Sequence, residues 1–600
     1  MKELDKFKNE MNLSGQNVYV GHRYVPKIMG DWDSTQIYEP LSIVQYQGNS
    51  FTSRQFVPSG VEITNEEFWA STGNYNAQVE QYRQDVRNLE SDFNNFNDEV
   101  ITARNGEETL NDRLDKDKQE VDERFEYTRN TRLLTSYFKR YENEVDDTLK
   151  LQRAIDEAIN QSKNLILDEE LFISDTVIIH DSLHFTGIND GVIVMTKAFV
   201  DGNVINIQGT EDKYVEKVTV ERIKITGRKV AGDFGIRVRY VRDSVIRDCD
   251  IRELNNGTHG GFGIHCADSD NILIDNNTIA DIKGDNGIMR GDGIVMTRCG
   301  NIKITNNTIA RVGRHCIAPC VGVGSRHVVI TNNFLENSHS CGIDIEFGAN
   351  ITIAFNMFYN NGNYQFTGET ADNMQSGIAI KTDGVDNLSN NIKIIGNTFD
   401  RSNFAAIASE NYAHFIHVTD NIFRDMKIGF KGYEGNAARK VSISNNRFFE
   451  ISERAIDIWG EMYVITGNTF EDCLNAIHSV KLEQSIVNDN LFTNCGVALF
   501  GPMNAVSTTI NGNIFRECKQ VSSSLIGKGM SISNNTVISS NITNQGFTLK
   551  GEDYKQTTVI GNVSNGNLEF LFKDINSAKD ELFNESLRNV IFANNGFGHK

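Results

Sequence analysis

An asparagine that returns at a near-fixed interval constrains this chain more than any other feature. Between residues 263 and 538, segment 271–279 reads Asn-Ile-Leu-Ile-Asp-Asn-Asn-Thr-Ile, 301–309 reads Asn-Ile-Lys-Ile-Thr-Asn-Asn-Thr-Ile, and 391–399 reads Asn-Ile-Lys-Ile-Ile-Gly-Asn-Thr-Phe. The shared residue falls at Asn277, Asn307, Asn333, Asn356, Asn397, Asn421, Asn446, Asn468, Asn490, Asn513 and Asn535. Successive spacings run from 22 to 30 residues, except for 41 between Asn356 and Asn397. A period of this length identifies a solenoid, in which each repeat is one coil that buries its apolar face only against its neighbours.

Each copy has an apolar-x-apolar strand, a bend at Asn and a second short apolar strand. A third strand opens small-Ile-x-apolar, as at Gly293–Met296, Gly342–Ile345, Gly377–Ile380 and Ala455–Ile458. Alternation with a period of two turns every second side chain inward. Three short strands per coil predict an all-β chain wound as a three-sided parallel β-helix. Asn tolerates left-handed backbone angles at the bend, and its amide can bond the same amide one coil away. Such a stack satisfies polar groups that a buried bend would leave unpaired. Leucine-rich repeats share the period but carry a helix-forming half; these copies are rich in Ile, Val, Thr and Asn, which favours strand.

Composition narrows the function classes. Lys and Arg number 59 against 80 Asp and Glu, a net charge of −21, which argues against a nucleic-acid backbone as partner. The nine Cys, all between Cys249 and Cys518, are an odd number without metal-type spacing. They read as buried thiols within the coils rather than a disulfide framework. The opening residues, Met1 to Lys8, have no apolar core, so no signal peptide is expected. No apolar run approaches membrane-spanning length, so no membrane insertion is expected.

Four segments are expected: an N-terminal attachment module over 1–75, a coiled-coil stalk over 76–140, the β-helix over 141–540, and an end coil and cap over 541–600. The first is aromatic-rich, with a hairpin predicted around Gln47-Gly48-Asn49. Its Trp32, Tyr46 and Trp69 form either a sugar platform or the module's own core. It resembles the N-terminal modules of tail proteins from phages of Gram-positive hosts and, more loosely, small chitin-binding modules. In the second, Val79, Tyr82, Val86, Leu89, Phe93, Phe96 and Val100 follow steps of three and four, a heptad seam. It continues less regularly past Asn105-Gly106 to Arg132. Such a seam needs partner chains, and a homotrimer is expected; a helix folded back on itself is the alternative.

From Asp146 an amphipathic helix follows, with Leu151, Ala154, Ile155 and Ala158 on one face and Thr148 as its N-cap, and strands begin at Leu165. Asp-Thr, Leu-Gln and Ala-Ile-Asp-x-Ala before strands resemble the opening of the pectate-lyase-like superfamily, as found in phage tailspikes and pre-neck appendage proteins. Asp168-Glu169-Glu170 stands where that family usually has Pro-Gly, so the first turn differs. The resemblance implies a right-handed, single-stranded parallel β-helix in a virion tail, attached to phage tail or collar proteins and acting at the extracellular host surface. It implies binding and depolymerisation of a host surface glycan: capsule, exopolysaccharide or wall teichoic acid. The alternative is a receptor-binding fibre without catalysis.

Outward positions on the Gly-Ile strand gather carboxylates at Asp344, Glu346 and Glu410, while Asp292 and His315 enter from the bends before their strands. Asp344 and Glu346 share one strand face, roughly 6.5–7 Å apart, and Glu346 and Glu410 lie two coils apart, about 9.5 Å. Both separations approach the range of about 6.5–9.5 Å that leaves room for a water between an acid and a base. The opposing reading is a solvated charge ladder, Glu346–Lys381–Glu410. Enlarged bends bring Tyr364 for sugar stacking and Arg290 for an anionic group; Arg314 and Trp459 complete the binding candidates. Glycoside hydrolysis is the first reading. Teichoic-acid phosphodiester cleavage, with Asp292, His315 and Asp344 on a metal, is second, and a lyase with Lys381 as base is third. No cofactor is expected, with a divalent ion such as Ca²⁺ left open.

Overall fold

The computed structural model describes residues 26–73, 80–92, 131–564, 591–593 and 596–597, apart from segments 189–190, 197–201, 228–233, 257–260, 285–290, 320–323, 363–374, 382–388, 410–412, 433–438, 540–546 and 548–556. The chain divides into two compact units, Met1–Arg124 and Phe125–Lys600.

In the first unit, strands Lys27–Asp31, Ser42–Tyr46, Asn49–Ser53 and Trp69–Gly73 form one sheet in that order. Gln47 and Gly48, both left-handed, make the expected two-residue hairpin turn. Trp69 is buried with Tyr38, Val44, Val57 and Ile63, so it belongs to the core; Trp32 packs edge-on to Tyr46 at its margin. Residues 80–92 are helical with every side chain exposed, including seam residues Tyr82, Val86 and Leu89. The rest of the seam read over 79–132 lies outside the described residues except at its end, where Arg132–Leu134 is a strand. A continuous helical stalk is therefore not part of the described structure.

In the second unit, strand Arg132–Leu134 is followed by helix Thr148–Asn160, which buries Leu151, Ala154, Ile155 and Ala158 against the first coil. Thr148 is its first helical residue, not its cap. The Asp146 carboxylate receives the Thr148 N–H at 2.9 Å and its hydroxyl at 2.6 Å. At the unusual first turn, Asp168 accepts from the hydroxyls of Thr135 and Ser136, and Glu169 receives Lys150. Two carboxylates thus tie this turn to the chain before the helix and to the helix itself.

Beyond the helix, strands pair in parallel from coil to coil, as far as Gly596–Phe597. The inner positions hold one continuous apolar core. The asparagine ladder runs from Asn277 to Asn562, one rung past the repeats, and every rung is buried. Each Oδ1 accepts the backbone N–H and side-chain N–H of the rung before it, as for Asn397 on Asn356 at 2.9 and 3.0 Å. The bend's strain sits one residue earlier than the sequence suggests. Asn276, Asn306, Asn332, Gly396, Gly467 and Gly512 take the left-handed angles, and the ladder Asn follows. Two residues past the rung, Phe358, Phe399, Phe423, Phe448, Phe470, Phe492 and Phe515 form a second stack, with centroids 4.5–5.0 Å apart and planes within 13°. The eight described cysteines are free and buried.

Candidate functional site

The strands that open with a small residue stack into one face. Register places side chains on it in columns. Asp292 and His315, expected in bends, are instead the first residues of strands Asp292–Thr297 and His315–Ala318. His315 pairs with Cys341, Asp344 with Ala379, and Glu346 with Lys381. Three adjacent columns on neighbouring coils therefore bring Asp292, Arg314, His315, Cys341, Asp344, Glu346 and Lys381 together.

Arg314 grips Asp292 with two parallel bonds, Nε to Oδ1 at 3.1 Å and Nη2 to Oδ2 at 2.6 Å, and the His315 backbone N–H adds a third at 2.9 Å. Burial acts to raise the Asp292 pKa, but Arg314 and His315 outweigh it and hold the carboxyl well below the usual range. The Arg314 guanidinium is correspondingly held above its ordinary value, chiefly by Asp292. His315 lies between two acids, its Nδ1 3.3 Å from Asp292 Oδ1 and its Nε2 3.4 Å from Asp344 Oδ2. Neither contact has hydrogen-bond alignment. Burial would lower its pKa; the charge of Asp344 and the contact with Asp292 prevail and push it up to about 9. The ring is an imidazolium at neutral pH.

Asp344 is 1% exposed, and Lys381 Nζ sits 3.1 Å from each of its oxygens. Lys381 also lies 3.9 Å from Glu346. Burial opposes the Lys381 charge, but Asp344 reverses that and raises its pKa. This favours the ammonium over the free amine that an elimination would ask of Lys381 as its base. Glu346 stands at the rim, its side chain 30% exposed. Burial first, and Asp344 second, raise its pKa, which keeps a proton on it at higher pH than an ordinary glutamate holds one. Of the opposing reading, the charge ladder Glu346–Lys381–Glu410, the first two members face each other at 3.9 Å, and Glu410 lies outside the described residues; Asp292, His315 and Asp344, by contrast, are buried.

His315, Cys341 and Asp344 offer ligand atoms within 4.8 Å of one another, the one described group that could hold a metal. Its chemistry fits poorly. His315 is held protonated, and the Lys381 ammonium already takes the cation's place on both Asp344 oxygens. The set expected from the sequence differs, since Asp292 is committed to Arg314.

Of the other candidates, Trp459 is half-buried in strand Arg447–Thr466, four coils from Asp344. Arg290, Tyr364 and Glu410 lie outside the described residues. Sequence reasoning missed Cys341, which the register with His315 would have exposed. It also missed Lys431, because Gly429-Phe430 replaces the small-Ile opening there. Lys431 faces Asp457 at 2.8 Å, and Arg454 and His478 meet the same carboxylate.

No curated protein sequence matches the chain. The family described as right handed beta helix region matches residues 171–323 and 292–464. Similar solved structures include the catalytic unit of a thermostable GH87 α-1,3-glucanase from Streptomyces thermodiastaticus, at 12% identity and TM-score 0.37, covering 78% of this chain and 68% of that one. The Azotobacter vinelandii mannuronan C-5 epimerase AlgE6 A-module matches at 11% and 0.33, covering 78% and 99%. The Dettilon tailspike protein matches at 14% and 0.32, covering 77% and 68%. Sequence match and fold agree: this chain is a right-handed parallel β-helix protein, with a tailspike and glycan-acting enzymes among the solved structures it resembles.

Proposed function

We propose that this chain is a phage tailspike or appendage subunit that binds a host surface glycan and depolymerises it at the Asp292–Lys381 cluster. The observation that carries the reading is Glu346. It is a rim carboxyl whose pKa is raised by burial and by the Asp344 charge, with an ammonium at 3.9 Å. A carboxyl that keeps its proton to higher pH than an ordinary glutamate can deliver it to a glycosidic oxygen as the bond to the sugar breaks.

Asp344, whose spacing from Glu346 suits an acid and a base, is buried, paired with Lys381 and 3.4 Å from His315. In this reading it works through its neighbours. Its charge raises Glu346, and its contact fixes Lys381 beside the scissile bond. The carboxylate that activates water is assigned to Glu410, the sequence's other candidate, which the structure does not describe. An anionic polymer would meet Arg314 and Lys381 as well.

The test uses purified host wall polymers and capsules. Glu346→Gln is expected to lower the rate of polymer shortening by about 10²–10⁴, the usual worth of a positioned proton donor, and to leave polymer binding unchanged. Glu410→Gln should do the same. Shortening at the wild-type rate by Glu346→Gln removes the acid assignment, while polymer binding without products from the wild type identifies a receptor-binding fibre.

A further inference from the structure

The same face carries a second charged centre. Register runs from Asp344 through Ala379, Ala408 and Lys431 to Asp457, then to His478 and Phe500. At about 4.8 Å per coil, Asp344 and Asp457 stand about 19 Å apart along the axis. Small buried residues, Ala379, Ala408, Ser376 and Ala405, floor the interval.

Asp457 is buried, and three groups converge on it. His478 Nδ1 lies 2.5 Å from Oδ1, while Lys431 Nζ and Arg454 Nη1 lie 2.8 and 3.0 Å from Oδ2. Burial acts to raise the Asp457 pKa, but His478 and Lys431 prevail and hold it well below the usual range. Asp457 thus serves both Lys431 and Arg454. The bond at Nδ1 turns the other imidazole nitrogen, Nε2, away from Asp457. The His478 side chain is 12% exposed and that of Arg454 is 35% exposed. Gly501 makes room beside the ring, since a Cβ there would come within 3.0 Å of Nε2. The Phe500 ring lies 5.3 Å from the imidazole, and half-buried Trp459 follows Asp457 on its own strand.

We infer that Arg454 and His478, oriented by Asp457 and Lys431, bind the oxyanion of an acidic glycan laid along this face. The inference rests on the glycan reading of the face and narrows the substrate to a polymer bearing uronate carboxylates or phosphates. The guanidinium fork matches either group, and Nε2 donates to it when the ring takes up a second proton on binding the anion. The aromatic rings offer faces to the adjoining sugar.

The experiment follows carbethoxylation of His478 in the full chain, peptide by peptide, with exposed His180 as the internal reference. Inorganic phosphate and galacturonate are the probes; chloride at equal ionic strength and glucose are the controls. Protection equals one plus the ratio of ligand concentration to Kd, so His478 should slow about threefold relative to His180 at twice Kd. Protection by phosphate alone assigns a phosphate polymer, and by galacturonate alone a uronate polymer. Arg454→Met should lose the protection. If neither anion protects the wild type, or if Arg454→Met remains fully protected, the subsite is overturned. Because no cleavage is measured, a chain that protects His478 but shortens no polymer would overturn the depolymerase reading and leave the subsite standing.

Discussion

Asn397 carries five side-chain hydrogen bonds. It accepts two from Asn356, and its two amide hydrogens are shared among the carbonyls of Ile353 and Ile395 and the Asn421 Oδ1. Asn397→Ala leaves those groups buried and unpaired, and should lower unfolding free energy by about 1–3 kcal/mol in chemical denaturation. Unchanged stability would mean that the neighbours find other partners. His315 predicts a pH dependence. Its folded pKa of about 9 exceeds its ordinary 6.5, so its stabilisation is fully present below pH 6.5 and is lost as pH rises through about 9. Wild-type melting temperature should therefore fall across that window relative to His315→Gln; parallel curves would refute the imidazolium. The ladder was legible in the sequence because a repeated Asn needs a repeated reason. Which residue of each Asn-Asn or Gly-Asn pair bends was not, because both types tolerate left-handed angles. Likewise, arithmetic along the strands located Asp344, Glu346 and Lys381. It could not weigh Lys381 as a partner of Asp344, which depends on how two side chains on neighbouring coils lean.

The phenylalanine stack spans seven coils, and earlier coils place Ile251, Ile279, Ile309 and Leu335 at the equivalent position. Aromatic pairs at these separations contribute beyond the area they bury. Phe448→Leu fills most of the space and keeps the apolar contact; Phe448→Ala opens a cavity between Phe423 and Phe470. Denaturant titration should show a loss of about 3–5 kcal/mol for alanine, and clearly less for leucine. Equal losses would point to stacking rather than volume. Asn-Thr-Phe and Asn-Arg-Phe in the repeats carried this element in plain view, since the residue two past an inward Asn also points inward. Lys431 shows the opposite case. Its strand opens with Gly-Phe, so a rule written on Gly-Ile passes over it, and the second centre with it.

At the scale of the molecule, the helix over 80–92 shows water Tyr82, Val86 and Leu89, three consecutive seam positions. The expected outcome is a full chain that sediments as a trimer, and that dissociates when Val86 and Leu89 are both changed to Asp, because the charges would enter the seam. A monomeric wild type would end that assignment. The coil itself has a further property. Asn356 and Asn397 are separated by 41 residues and Asn446 and Asn468 by 22, yet both pairs bond at 2.9 and 3.0 Å. The scaffold keeps its count in space, not along the chain, so an excursion of any length returns to the same rung. Insertions and deletions between rungs can then replace what overhangs the face without disturbing the floor beneath it. Recognition can drift in this way while the fold stays still.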